Sequence, residues 1–179
     1  MTTSPTDRVW FITGASRGLG HAFTRAALES GGKVVAAART TASLDELAIE
    51  YGERLLIQKL DVTDRSAVFD AVTTAVHRFG RLDVMVNNAG TLSMGMIEEF
   101  TEAQARAALE VNCFGAMWGS QAALSVMREQ GSGHIVQISS IAALGGFPST
   151  GLYSASKFAL EGFSESLAAE ASHFGVEVR

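Results

Sequence analysis

A tyrosine and a lysine four residues apart, Tyr153 and Lys157, stand out in the small-residue stretch GLYSASK. On a helix this spacing places both side chains on one face, one turn apart. A buried helix face favours Leu or Ile at such positions, and a solvated face favours Glu four residues before Lys, so neither explains the phenol. An ammonium beside a phenol favours the phenolate and lowers its pKa. The chemistry open to such a pair is proton transfer.

A glycine-rich loop follows the apolar run VWFIT and precedes an alanine-rich stretch. The loop is Gly14-Ala15-Ser16-Arg17-Gly18-Leu19-Gly20. Glycines permit a tight turn and the close approach of a pyrophosphate, whose charge is stabilised by free amide groups at the start of a helix. The spacing Gly-x-x-x-Gly-x-Gly differs from the Gly-x-Gly-x-x-Gly of the ordinary dinucleotide fold. The loop predicts a dinucleotide site, and a purely structural turn is the alternative.

The residues after the second apolar run bear on which dinucleotide is preferred. An acidic residue there would bind the ribose hydroxyls of NAD, but this chain has Ala38 followed by Arg39. Arg39, together with Arg17 of the glycine loop, could pair with the 2′-phosphate of NADP. The sequence therefore favours NADP, with NAD and two merely solvated arginines as the alternatives.

The elements that must position these residues alternate along the chain. Short apolar runs predict strands, and the stretches between them have helical periodicity. The predicted strands span 9–13, 33–38, 54–60, 82–87 and 134–139, and the predicted helices span about 18–30, 43–51, 64–79, 102–129 and 153–173. The alternation predicts an α/β fold with a doubly wound parallel sheet, Rossmann-like, as one domain over 1–179. Ligands of such sheets bind beyond the carboxyl ends of the strands.

Composition restricts the class of protein further. The chain has 179 residues, and 14 basic against 19 acidic side chains give a net charge of -5, which argues against nucleic acid or an anionic membrane as the partner. The single Cys113 predicts no internal disulfide and a reducing compartment. No segment has the length of a membrane span and the start, MTTSPTDRVW, lacks the form of a signal peptide, so we expect a soluble, cytoplasmic protein. The histidines have no metal-ligand spacing, and we expect no metal.

Several motifs occur together in one order along the chain. They are TGASRGLG at 13–20, Asp61-Val62, Asn87-Asn88-Ala89-Gly90, Asn112, Ser140, and Tyr153 with Lys157. On these motifs the chain resembles the short-chain dehydrogenases/reductases. The sequences of several segments are most similar to a hydroxysteroid-dehydrogenase-like branch. The resemblance implies an oxidoreductase that transfers a hydride between NADP(H) or NAD(H) and a carbonyl or secondary alcohol, with a hydrophobic substrate expected.

The resemblance also implies roles for four catalytic candidates. Tyr153 would be the acid or base, and Lys157 would favour its phenolate and bind the nicotinamide ribose. Ser140, thirteen residues before Tyr153, would hold the substrate oxygen. Its neighbour Ser139 is the rival, because only one of two consecutive strand residues can face the site. Asn112 would hold a water that relays protons, which is compatible with a buried amide that satisfies backbone groups at a helix irregularity.

Further residues would line the cofactor. Asn88, Ala89 and Gly90 would contact its adenosine and ribose side, while Asn87 would brace the sheet. Asp61 and Val62 would hold the adenine, with a turn or cap as the alternative for Asp61. We interpret Met94 and Met96 as core residues, with a place beside the substrate as the alternative. The resemblance implies a homodimer or homotetramer through the two long helices.

The chain departs from the family pattern where it stops, at Val176-Glu177-Val178-Arg179, which resembles the opening of a sixth strand. The substrate-covering part of family members would lie beyond this point, and an edge strand left there would expose unpaired backbone and apolar surface. A catalytically incompetent nucleotide-binding or interaction protein is therefore the alternative function. A sugar-nucleotide epimerase, which also uses Tyr-x-x-x-Lys, is disfavoured by the glycine spacing and the short chain.

Overall fold

Six parallel strands form one sheet in the computed structural model, which describes residues 7–179. The strand order is β3-β2-β1-β4-β5-β6, and every pair of neighbours is parallel. The strands are β1 (Val9–Thr13), β2 (Lys33–Ala38), β3 (Leu55–Lys59), β4 (Val84–Asn87), β5 (Gly133–Gln137) and β6 (Val176–Val178). The strand order reverses between β1 and β4, so the ends of these two strands open a crevice. The predicted doubly wound sheet is confirmed.

Within residues 7–179, six α-helices connect the strands. They are α1 (Gly18–Glu29), α2 (Asp45–Tyr51), α3 (Arg65–Phe79), α4 (Glu102–Leu109), α5 (Gly115–Gln130) and α6 (Gly151–Ser172). Local sequence signals explain several ends. The Asp64 side chain accepts a hydrogen bond from the Ala67 amide at the start of α3, and Gly80, with a φ of 81°, ends that helix in a left-handed conformation.

The helices cover the two faces of the sheet unequally. Helices α3, α5 and α6 pack on one face, where Phe11, Met85 and Ile135 are completely buried. Helices α1 and α2 cover the other face over β1, β2 and β3. Beside α1 this second face retains an apolar groove of about 390 Å³, lined in part by Trp10, Phe23, Val86 and Val136. The nearly continuous apolar strands of the sequence fit a sheet with helices on both faces.

The sequence-based prediction of one helix over 102–129 is wrong in its middle. Residues Glu110–Phe114 form a π-helical turn that separates α4 from α5. The turn contains Asn112, whose side chain is 1% exposed and bonds to groups outside the helix. Burying that polar side chain next to its partners requires a local change of helical phase, which a period-based prediction cannot anticipate.

The fifth strand also ends earlier than predicted, at Gln137 instead of 139. Ser139 and Ser140 therefore lie beyond the strand, and strand alternation does not decide which of them faces the site. Strand β6 lies at the sheet edge and pairs with β5 along one side only. Within residues 7–179 no helix is both long and apolar enough to cross a membrane. The expectation about a signal peptide concerns residues 1–6 as well, and these lie outside the described residues.

Candidate active site

The crevice between β1 and β4 is held together by one threonine at the end of β1. The Thr13 hydroxyl accepts hydrogen bonds from the backbone amides of Asn88 and Ala89, each at 3.0 Å, and lies 3.3 Å from the Val86 carbonyl, to which it donates. Thr13 is 2% exposed. The sequence interpretation gave this residue no role of its own, although its place directly before the glycine loop was a usable signal.

The glycine loop packs directly against the end of β4. The Asn88 side-chain amide donates to the Thr13 and Gly14 carbonyls at 2.9 and 3.2 Å. A side chain at Gly20 would collide with the Gly14 carbonyl, and Gly14 itself has a φ of 67°. Only glycine satisfies both conditions. The structure thus brings the loop and the predicted residues Asn88 and Ala89 together.

The start of α1 has the features of an anion site. Its first turn contains no acidic residue, and the Arg17 side chain before it makes no capping bond to the helix. The first amides of α1 therefore lack a partner within the helix. Gly18 has open space where a side chain would be, and Leu19 is 61% exposed. A pyrophosphate fits this arrangement on both steric and electrostatic grounds.

The two arginines of the predicted phosphate site lie on neighbouring loops. Arg17 and Arg39 are both exposed, and neither forms an ion pair with any residue in the described part of the chain. Their loops are joined by the Ser43 hydroxyl, which donates to the Ser16 carbonyl at 2.6 Å. Two guanidinium groups without carboxylate partners are available for an anionic ligand.

Asp61 and Val62, after β3, have different environments. The exposed Asp61 carboxylate accepts from the amide and the hydroxyl of Thr63, so its recorded contacts are those of a turn. Val62 is 8% exposed and packs against Gly115, where a side chain would meet it. Val62 therefore links the end of β3 to the start of α5.

Lys157 lies at the centre of the site. Its side chain is 5% exposed, and Nζ donates to the Ile138 carbonyl at 2.7 Å. Nζ also lies 5.8 Å from the centre of the Tyr153 ring. Burial lowers the pKa of Lys157 below its ordinary value, and the negative charge of Glu161, one turn further on, partly opposes that shift. The predicted pair is thus adjacent on α6, with a buried ammonium and a half-buried phenol.

Asn112 is bonded through both ends of its amide. Its Oδ1 accepts from the Thr91 amide and its Nδ2 donates to the Thr91 carbonyl, both at 2.8 Å. Nδ2 also donates to the Ser156 hydroxyl at 2.9 Å, which in turn donates to the Tyr153 carbonyl. The interpretation of Asn112 as an amide that satisfies backbone groups at a helix irregularity is confirmed. Ser156, which is completely buried, was missed by the sequence interpretation.

Gly90 completes this group of residues. A side-chain carbon at Gly90 would lie 3.4 Å from Asn112 Oδ1 and 3.9 Å from Lys157 Nζ. The end of β4, the π-helical turn and α6 therefore meet around the lysine. Among the catalytic candidates, Asn112, Tyr153 and Lys157 are connected by these contacts.

The two serines after β5 differ in their hydrogen bonds. The Ser140 hydroxyl accepts from the Ala142 amide at 3.2 Å. The Ser139 Oγ is buried and has no hydrogen-bond partner in residues 7–179. Both directly follow Ile138, whose carbonyl binds Lys157, so both lie next to the lysine along the chain.

A buried triangle of side-chain hydrogen bonds connects the ends of β4 and β5 to α5. Asn87 Nδ2 donates to the Ser120 hydroxyl and to Gln137 Oε1, both at 3.0 Å, and Gln137 Nε2 donates to the same hydroxyl at 2.9 Å. The interpretation of Asn87 as a brace of the sheet is confirmed. Ser120 and Gln137, its partners, carried no recognisable motif.

Two apolar segments border the site. The first apolar segment, residues 91–97, follows Gly90, and the second apolar segment, residues 141–150, follows Ser140. Met94 and Met96 in the first are 67% and 51% exposed, so the interpretation of these methionines as core residues is wrong. Over residues 7–179 no group of three His, Cys, Asp or Glu side chains is placed to hold a metal ion.

Comparison with known proteins gives consistent relatives. A family model described as short chain dehydrogenase matches residues 8–179. An oxidoreductase from Botryotinia fuckeliana is 41% identical over 172 residues, which are 96% of this chain and 63% of the relative. A 3-alpha-(or 20-beta)-hydroxysteroid dehydrogenase from Mycobacterium tuberculosis is 37% identical over 171 residues, 96% of this chain and 66% of the relative.

A solved structure agrees with these relatives. The crystal structure of a short-chain dehydrogenase from Streptomyces avermitilis superposes with a TM-score of 0.93 at 42% identity, covering 96% of this chain and 64% of that one. The chain thus spans about two-thirds of the length of the proteins it matches.

Proposed function

The chain belongs to the short-chain dehydrogenase family, and from that membership we propose that it is an oxidoreductase acting on a carbonyl or secondary alcohol with NADP(H). The observation that carries the proposal is the buried Lys157 ammonium, held by the Ile138 carbonyl one helical turn from Tyr153. A buried cation next to a phenol has a high cost in desolvation, and a structural role alone would be served by an apolar residue.

The residues of the crevice fit a dinucleotide. The amides at the start of α1 would hold the pyrophosphate, while Asn88, Ala89 and Gly90 would line the ribose side and Asp61 and Val62 the adenine. Once bound, the nicotinamide cofactor would supply or accept the hydride. Gly14, Ser16, Gly18 and Gly20 would let the backbone approach the cofactor closely.

The proton is handled by the chain itself. As a carbonyl oxygen gains negative charge, Tyr153 would donate its phenolic proton to it, and in the oxidation direction it would accept that proton. Lys157 would stabilise the phenolate. Ser140 would donate a hydrogen bond to the substrate oxygen, and Asn112 would hold a water that relays protons to Lys157. The exposed apolar segments support a hydrophobic substrate.

We propose NADP over NAD because of charge. Arg17 and Arg39 have no acidic partner in the described residues, and Ala38 stands where a carboxylate would repel a phosphate. A hydrogen bond to a charged group contributes about 1.5–3 kcal/mol. Losing one guanidinium should therefore weaken NADPH binding about ten- to hundredfold while leaving NADH binding nearly unchanged.

The first test is a titration of the 179-residue protein with NADPH and with NADH, followed by nicotinamide fluorescence. The wild type is compared with Arg39→Ala and with Arg106→Ala, a control on α4 whose only ion pair is exposed. Selective loss of NADPH affinity in Arg39→Ala supports the proposal. Equal affinity for both cofactors in all three proteins would refute the NADP preference, and no binding of either would refute the site.

A turnover assay distinguishes the proposed enzyme from the alternative, a nucleotide-binding protein without activity. Oxidation of NADPH in the presence of a panel of ketones would support the enzyme. Tight binding without turnover of any ketone or secondary alcohol would favour the inactive alternative.

We also propose a homodimer or homotetramer through α5 and α6. Phe114 and Phe158 on this surface are 37% and 48% exposed, and Phe114 stacks on Trp118 at 5.9 Å. The buried free thiol of Cys113, whose pKa is raised by burial, supports placing the protein in the reducing cytoplasm.

A further inference from the structure

We propose that Ser43 is a positioning residue for cofactor selectivity. Its hydrogen bond to the glycine loop holds Arg17 in a fixed place relative to Arg39, so that both guanidinium groups can meet the 2′-phosphate of NADP(H). The inference rests on the proposed NADP-dependent function and adds to it a residue outside both the glycine loop and the end of β2.

Two hydrogen bonds made by adjacent residues join the glycine loop to the end of β2 and the segment after it. The Ala15 amide donates to the Ala37 carbonyl at 3.1 Å, and the Ser43 hydroxyl donates to the Ser16 carbonyl at 2.6 Å. Arg17 is the next residue of the loop. The two bonds therefore fix the backbone that carries this guanidinium.

The segment that carries Ser43 is itself anchored in the core. Ser43 lies in a short 3₁₀ turn, Ala42–Leu44, that begins three residues after Arg39. Leu44 is completely buried, and its amide donates to the Thr41 carbonyl at 2.9 Å. A serine hydroxyl is separated from the backbone by one torsion, so its hydrogen bond costs little conformational entropy. The bond thus transmits the fixed place of the turn to the glycine loop.

The same hydrogen bond indicates that Ser43 acts through the loop and not by contact with the ligand. A hydroxyl has one proton to donate, and that of Ser43 is given to the Ser16 carbonyl. The hydroxyl oxygen can then only accept hydrogen bonds, and an ionised phosphate oxygen also only accepts them. Direct recognition of the phosphate is therefore left to the two arginines.

The expected benefit of this arrangement is preorganisation. Arg17 and Arg39 are exposed, and long side chains of this kind lose conformational freedom when they bind a ligand. A mobile backbone beneath Arg17 would add the cost of ordering the loop. The Ser43 bond removes that cost before the ligand binds. The Ala15 bond remains when Ser43 is changed, so the effect should concern the 2′-phosphate more than the rest of the nucleotide.

Two nucleotides that differ only in the 2′-phosphate test this inference without turnover. Isothermal titration calorimetry compares 2′,5′-ADP with 5′-AMP for the wild type, Ser43→Ala, Ser43→Thr and Ser172→Ala. Ser172 is the matched control, because it is also exposed and its hydroxyl also donates to one carbonyl, that of Ala169 at 2.8 Å.

The expected result is a selective loss in one variant. Ser43→Ala should bind 2′,5′-ADP about fivefold more weakly, because one hydrogen bond is removed, and should bind 5′-AMP within about twofold of the wild type. Ser43→Thr keeps the hydroxyl and should keep the affinity. A Ser43→Ala variant that binds 2′,5′-ADP as Ser172→Ala does, or that loses both nucleotides equally, would overturn the inference.

A double-mutant cycle tests whether Ser43 acts through Arg17. In the Arg17→Ala background, Ser43→Ala should cause no further loss of affinity for 2′,5′-ADP, because the side chain that Ser43 positions is already absent. A further fivefold loss in that background would contradict the assigned role.

The same titrations separate this inference from the proposed function. If the wild type binds 2′,5′-ADP no more tightly than 5′-AMP, the proposed NADP preference fails and the inference fails with it. If the wild type prefers 2′,5′-ADP and Ser43→Ala keeps that preference in full, the inference alone fails.

Discussion

The burial of Lys157 disfavours the positive charge that its proposed role requires. Its side chain is 5% exposed, and burial lowers its pKa, yet the proposed role requires the ammonium. Two features support the charged form, the Ile138 carbonyl at 2.7 Å and the negative charge of Glu161. The fold thus gives up stability for a group that the proposed reaction needs, as is common at active sites.

Because burial lowers the pKa of Lys157, the free energy of unfolding depends on pH. The variant Lys157→Met should remove this contribution. Below the lowered pKa, lysine is protonated in both the folded and the unfolded chain, and the full cost of burial applies. Between that pKa and the ordinary value of 10.5 the unfolded chain binds more protons, so the free energy of unfolding rises with pH. We expect the wild type to gain stability relative to Lys157→Met as the pH rises through the lowered pKa of Lys157 towards 10.5, measured by urea unfolding. A constant difference would contradict the assigned burial.

Tyr153→Phe tests the proton donor. Removing one oxygen keeps the ring and its packing, so we expect kcat to fall at least about a hundredfold, because general acid catalysis contributes about 10²–10⁴-fold. The affinity for NADPH should stay within about twofold. Steady-state kinetics and cofactor fluorescence measure the two quantities, and retained kcat would exclude Tyr153 as the acid.

At this scale the sequence was informative where residue type and order formed a motif. The sequence alone was enough to propose candidates, namely Tyr153, Lys157, Asn112 and the glycine loop. Ser156 could not, because its partner is distant in the chain: Asn112 is 44 residues from Ser156. A lone hydroxyl residue has no periodic or compositional signal, so only the folded contacts reveal such supports.

Among the elements, the π-helical turn between α4 and α5 has the clearest functional consequence. It turns Asn112 towards Thr91 and Ser156 and thereby ties the end of β4 to α6. Turns of this kind are frequent at functional sites. The helix periodicity of the sequence predicted the flanking helices but averaged over the irregularity, just as the apolar run of β5 extended the predicted strand over Ser139.

Ser156→Ala tests this connection between elements. The change leaves one Asn112 N–H without its partner in a buried place, so we expect a loss of about 1–3 kcal/mol in the free energy of unfolding and a fall in kcat with KM little changed. Ser164→Ala is the control on the same helix, since its hydroxyl bonds only the Leu160 carbonyl of the preceding turn. Denaturation and steady-state kinetics compare the two, and indistinguishable variants would refute the connection.

Gly119→Ala tests the packing of α5 on β4. A methyl group there would collide with Asn87 Oδ1, and overpacking of this kind costs about 1–3 kcal/mol. Gly162→Ala on α6 is the control, because nothing lies within 4 Å of the added carbon, and it should stabilise the chain by about 0.5–1 kcal/mol. Thermal or urea unfolding gives both values, and a stabilised Gly119→Ala would contradict the contact.

At the scale of the whole molecule, the proposed association through α5 and α6 can be tested. Phe158 is 48% exposed on α6, so Phe158→Glu would place a charge in the proposed interface. We expect sedimentation velocity to show an oligomer for the wild type and a shift towards monomer for Phe158→Glu, because a buried unpaired charge is strongly unfavourable. Ile49→Glu on α2 is the control. An unchanged oligomer in Phe158→Glu would place the interface elsewhere.

The sheet order has a consequence for synthesis of the chain on the ribosome. Strand β1 lies between β2 and β4, and its first residue, Val9, bonds to Asp83, 74 residues later. At about 5–20 residues per second, roughly 4–15 s pass between the synthesis of these two residues. During that interval the central strand has an unoccupied side, and its apolar residues remain open to misassembly. The nascent chain therefore exposes the apolar side of β1 to misassembly until β4 has been synthesised.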